Sequence, residues 1–175
     1  MTEKKLPDAW LRGPIDGVPT ILLPAAHAFV GAAEDVAGAA SDLPAESLWL
    51  RPGGAASAGF HLRHLVGSTG RLLTYARGET LTEEQKAFRV REGEPGSETV
   101  EALVDAVRGA LGNAVEYLRS VPADRLLDAR EVGLERLPTT MLGAIFHAAE
   151  HAQRHAGQFV TTVKVLRAEG PILVG

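Results

Sequence analysis

The stretch FHAAEHAQRHAGQF, residues 146–159, carries His147, His151 and His155, three of the six histidines in the chain. Imidazoles four apart suggest metal binding. In an α-helix each residue turns by about 100°, so positions i and i+4 differ by about 40° and lie one above the other. The three histidines therefore climb one face in two steps. His147 and His155 lie about 12 Å apart along the helix axis, too far for two bonds of about 2.1 Å to one ion. Only an adjacent pair can share a metal, and a third ligand must come from another segment. The histidines elsewhere in the chain are His27, His61 and His64. With no cysteine, the chain has no disulfide, thiolate zinc ligand or cysteine nucleophile, which leaves imidazole and carboxylate for such chemistry.

Two pairings compete. His147-Ala-Ala-Glu150-His151 reads H-x-x-E-H, the inverted zinc-protease signature, in which two histidines hold the metal and the glutamate activates water. That motif needs a distant third ligand and a larger peptidase scaffold than a short helical chain provides. The other pairing is His151 with His155, followed directly by Ala156-Gly157-Gln158.

Both pairings require a helix, and the sequence is organised as helices. The most regular runs from Glu98 to Val121, with a seam of Val100, Val104, Val107, Leu111, Ala114 and Leu118 that alternates steps of four and three. Ser97 is its expected cap and Pro122 its stop. An earlier alanine-rich helix should begin between Thr20 and Pro24 and end near Ala40. The loop RPGGAASAG leads to Ser57, the expected cap of a helix from Ala58 to about Arg77 that carries His61 and His64 and closes at Gly78. In the charged connection that follows, Thr82 and Gln85 match a capping box for one short helix. Thr139 or Thr140 should cap a last helix reaching about Arg167, ahead of Gly170 and Pro171. The VGLERLPTT run before it is left unassigned. Four long amphipathic segments without a convincing strand pattern predict an all-α protein, an antiparallel four-helix bundle.

At 175 residues the whole chain, 1–175, is expected to form a single domain. A formal net charge of -4 gives no basic field for phosphates or anionic lipid, which argues against nucleic acid and membrane surfaces as partners. The first twenty residues lack the apolar stretch of a signal peptide, and no apolar run reaches the roughly 18 residues of a membrane span. The expectation is a cytoplasmic protein with a small-molecule substrate.

HAQRHAGQ at 151–158, read with GFHLRHL at 59–65, resembles the DinB and YfiT-like superfamily of metal-binding four-helix bundles. The similarity extends from about Trp10 to about Leu166 and includes LPTTMLGAIFHAAEH before the histidine pair and LLTYARGE at the exit of the second long helix. The resemblance implies that one histidine of that helix and the H-x-x-x-H pair bind a divalent metal: His64, His151 and His155 here, with water completing the sphere. Where the family often has adjacent histidines, this chain has Arg154-His155. The implied metal is Zn or Ni, with Fe or Mn as further options, since affinity order alone does not choose among them. Characterised relatives include transferases and isomerases dependent on low-molecular-weight thiols such as bacillithiol, mycothiol or glutathione. The implied mechanism is attack of a metal-bound thiolate on an electrophilic small molecule. The alternatives are a hydrolase using metal-bound water, with Glu150 or a bound-water network as possible base, and a non-catalytic metal-binding stress-response protein; a homodimer is compatible with each.

Around the ligands, His61 is expected either to replace His64 or to support the site, and Glu150 and Gln158 are positioned to orient an imidazole or a bound water. His27 and His147 read as ordinary exposed or hydrogen-bonded histidines. Gly67 and Gly70 cost the second long helix about 1 kcal/mol each, a cost that close packing or a cavity beside His64 would offset. Trp10, Trp49 and Phe60 read as core or loop-anchoring aromatics.

Overall fold

A computed structural model describes residues 6–169. Its framework is four long helices, α1 (Leu23–Ala40), α2 (Ala58–Arg77), α4 (Val100–Ser120) and α5 (Met141–Glu169), with a short α3 (Glu83–Arg91) between α2 and α4. The protein is all-α apart from a two-stranded hairpin, as the apolar periodicity predicts. Each long helix packs against two others around one core that includes Phe29, Leu62, Leu65, Leu111, Ile145 and Phe159.

Interhelix contacts fix the directions. Gln153 bonds to the Ala28 carbonyl and Arg167 pairs with Asp42, so α1 and α5 run parallel. His64 meets His151 while His61 meets His155, so α2 and α5 are antiparallel. Arg63 reaches Glu98 and Arg77 lies over Tyr117, which makes α2 and α4 parallel. Arg119 bonds to the Asp16 carbonyl ahead of α1, whereas Ala37 lines a groove with Arg108, so α1 and α4 are antiparallel. Two neighbouring pairs are thus antiparallel and two parallel. The parallel α2 and α4 require a crossover, and residues 78–99, including α3, supply it.

Local chemistry explains the boundaries. Ser57 accepts the Phe60 amide at the start of α2, and Gly78 ends that helix in the left-handed region at φ 80°. Thr82 and Gln85 form the complete capping box. Thr140 accepts the Gly143 amide at the start of α5. At α4 the cap is Thr99, which accepts the Ala102 amide, and not Ser97 as expected. The unassigned run contributes to a hairpin of β1 (Ala129–Val132) and β2 (Leu137–Thr140), with Ala129 opposite Thr140 and Val132 opposite Leu137. Its buried Arg130 donates to the Ala76 carbonyl at the end of α2. That contact places a cation where the helix dipole is negative.

The aromatic expectations divide. Trp49 anchors its loop: its ring covers Gly59 at the start of α2 and receives the Arg63 guanidinium 4.5 Å from its centroid. Trp10 is 66% exposed on a turn before α1, so it is neither a core residue nor buried under a loop. No helix among the described residues is long and apolar enough to cross a membrane.

Candidate metal centre

Helices α2 and α5 meet at their histidines. On α2, His61 and His64 are three residues apart and share a face; on α5, His151 and His155 are four apart and share another. Because the helices are antiparallel, the two pairs meet in reverse order. Nε2 of His64 lies 2.9 Å from Nε2 of His151, and Nδ1 of His61 lies 3.1 Å from Nδ1 of His155. His64, His151 and His155 each offer a ligand atom, and these atoms all lie within 4.8 Å of one another. All three residues are half-buried.

This arrangement suits a metal ion. Two bonds of about 2.1 Å place their nitrogens about 3.0 Å apart in octahedral geometry and about 3.4 Å apart in tetrahedral geometry, close to the His64–His151 separation. Burial, then the neighbouring imidazoles, push His155 down to about 3 and His151 to about 4. Both therefore carry lone pairs at neutral pH. His61 is pushed down to about 4 by burial and His64. Nδ1 of His155 is engaged by His61, which leaves Nε2 as its other ring nitrogen.

The partners of the three imidazoles differ. Nδ1 of His64 donates to Oε2 of Glu92 at 2.8 Å, and Arg71 donates to the same carboxylate at 2.5 and 3.3 Å. Glu92 is 3% exposed. Burial alone would raise its pKa, but the bonds from His64 and Arg71 hold it below the ordinary carboxylate value. His155 has the neutral ring of His61, which is buried. Nδ1 of His151 is buried without a hydrogen-bond partner. Phe60 stacks on His64 at 5.1 Å with 18° between the planes, forming an apolar wall beside the cluster.

The remaining candidates lie outside this cluster. His147 is exposed and binds Glu150 at 2.7 Å; Glu150 also takes two bonds from Arg154. Burial raises the pKa of Glu150, but those partners bring it below the ordinary value. Gln158 is exposed further along α5. His27, on α1, bonds to the Gly13 carbonyl and is not part of the three-histidine group. Sequence reasoning missed Glu92, Arg71 and Phe60. Arg71 left one trace: it lies seven residues after His64, on the same inward stripe.

Bundle and cluster together define a class: an all-α four-helix protein with three histidines, from two antiparallel helices, that could hold a metal ion. The chain belongs to the DinB superfamily, whose family model matches residues 4–159. A search of curated proteins finds no match.

Proposed function

We propose that His64, His151 and His155 hold a divalent transition metal, Zn or Ni before Fe or Mn, and that the protein transfers a low-molecular-weight thiol, bacillithiol-like, to an electrophilic small molecule. The observation that carries this reading is the convergence of three ligand atoms within 4.8 Å. When bound, the metal would hold the thiol as its thiolate at neutral pH. The imidazoles add no charge, so the ion keeps its full positive charge toward an anionic ligand. The chain has no cysteine, so the sulfur nucleophile comes from the cofactor. Phe60 limits water on one side of the site and offers an apolar surface to a substrate.

Of the two bases open to a hydrolytic reading, Glu150 is committed to His147 and Arg154, which leaves a bound-water network. We further read the chain as a single cytoplasmic domain that acts on a small molecule, with a homodimer as its assembly. The first test is the metal content of untagged protein purified without chelator, beside His64→Ala. About one equivalent in the parent and little in the variant is the expected result; no metal after reconstitution would sink the reading. The second is the spectrum of cobalt-substituted protein on addition of bacillithiol, where an unchanged spectrum removes the thiol.

A further inference from the structure

We propose that Glu92 is a positioning residue for this centre: it holds the Nδ1 proton of His64 so that the Nε2 lone pair faces His151 and His155. This rests on the reading that those three histidines hold a metal. The geometry is specific. An ionised carboxylate only accepts hydrogen bonds, so the 2.8 Å contact assigns the proton to Nδ1 of His64 and leaves Nε2 unprotonated. At 2.9 Å, Nε2 of His151 then donates to Nε2 of His64 in the metal-free protein. A carboxylate behind a ligating imidazole fixes the ring and raises its basicity. His64 alone among the three has such a partner, since His155 has a neutral ring and Nδ1 of His151 has none.

The surroundings of Glu92 serve the same purpose. A carboxylate at 3% exposure requires compensation, and Arg71, itself buried, donates to both oxygens. Gly67 provides the space. A Cβ at that position would fall on Oε1 of Glu92 and come within 2.7 Å of Nη1 of Arg71 and 2.8 Å of Phe88. The crossover can therefore settle against α2 only at a residue without a side chain. The glycine expected to permit close packing or open a cavity admits this ion pair.

The test compares the parent, Glu92→Gln, His64→Ala and the double variant Arg71→Met/Glu92→Leu. The double variant removes both charges together, which buried pairs often tolerate; Glu92→Gln is nearly isosteric and keeps one acceptor. Two quantities are read: zinc affinity by competition with a chromophoric chelator, and the His64 tautomer by nitrogen-detected NMR of folded, metal-free protein. We expect an Nδ1–H tautomer in the parent and its loss in the double variant, with zinc affinity lowered about 10- to 100-fold. Glu92→Gln should fall between the two, and His64→Ala should abolish binding. An Nε2–H tautomer in the parent, or parental zinc affinity in a folded double variant, overturns the proposal. The tautomer also separates the two readings: a parent that takes up no zinc but has Nδ1–H, lost in the variants, refutes the metal centre while upholding the role of Glu92 in orienting His64.

Discussion

Helices α2 and α4 lie side by side, with 20 and 21 residues, and differ in what they bury: α4 buries an apolar face, α2 a mixed one. The inward face of α4 is Val100, Leu103, Val104, Val107, Leu111, Ala114, Val115 and Leu118, all apolar. The buried set of α2 includes His61, Arg63, Arg71 and Thr74. Buried polar groups are costly without partners; Ser68 bonds within α2 to the His64 carbonyl, whereas Arg63, Arg71 and Thr74 draw partners from outside the helix. Arg63 bonds to Glu98 and to the carbonyls of Arg91 and Glu94; Arg71 bonds to Glu92; Thr74 accepts from Gln85. All of these partners come from the crossover. The segment that reconnects two parallel helices also neutralises the polar face that bears His64. In α4 the sequence specifies packing, whereas in α2 it specifies a site and depends on another segment to stabilise it.

The sharpest way to break this contrast is Arg71→Met alone. It leaves the Glu92 carboxylate buried without its guanidinium, and removing one member of a buried pair costs about 3–5 kcal/mol. Urea unfolding of the metal-free protein should show that loss. A shift no larger than that of a surface substitution would mean that the polar face of α2 needs no compensation. The counterpart in α4 is Leu111→Ala, which should cost about 2–5 kcal/mol through lost burial and a cavity. Zinc bound per folded molecule should be unchanged, because Leu111 belongs to the apolar core. Reduced zinc stoichiometry in folded protein would join the two helices into one functional unit.

The same contrast decided what could be read from sequence. The seam of α4 is a period, and a period needs no partner to be recognised; the i, i+4 histidines of α5 are legible for the same reason. Glu92 has no such mark. It lies in VREGEPGSE among other carboxylates, and only the path of the crossover distinguishes it. The run 132–140 is not legible as a hairpin because the strands are four residues each and the inward residue of β1 is an arginine, so no apolar alternation announces them. Trp10 misled by type: a large apolar ring usually seeks cover, and this one remains mostly in solvent.

Zinc itself sharpens the comparison at a smaller scale. If α2 and α5 share a metal, free zinc at 100 times the dissociation constant should stabilise the parent by about 2.7 kcal/mol. Thermal unfolding with and without chelator measures this, and the gain should vanish in His64→Ala while persisting in Leu111→Ala. Stabilisation that survives His64→Ala would move the binding site away from α2.

The smallest expected effect concerns where α4 begins. GSET carries two hydroxyls, Ser97 and Thr99, and sequence pattern points to Ser97 as the cap. The structure chooses Thr99, whose Oγ1 accepts the Ala102 amide at 3.2 Å. The choice matters for the site because Glu98, the partner of Arg63 on α2, immediately precedes this cap. Thr99→Ala should cost about 1 kcal/mol, the usual value of a lost N-cap, whereas Ser97→Ala should cost much less. Both are measurable as shifts of the urea midpoint at constant slope. The reverse order would start the helix two residues earlier, within the segment that neutralises Arg63. The partnership between the crossover and α2 would then need to be redrawn from its α4 end.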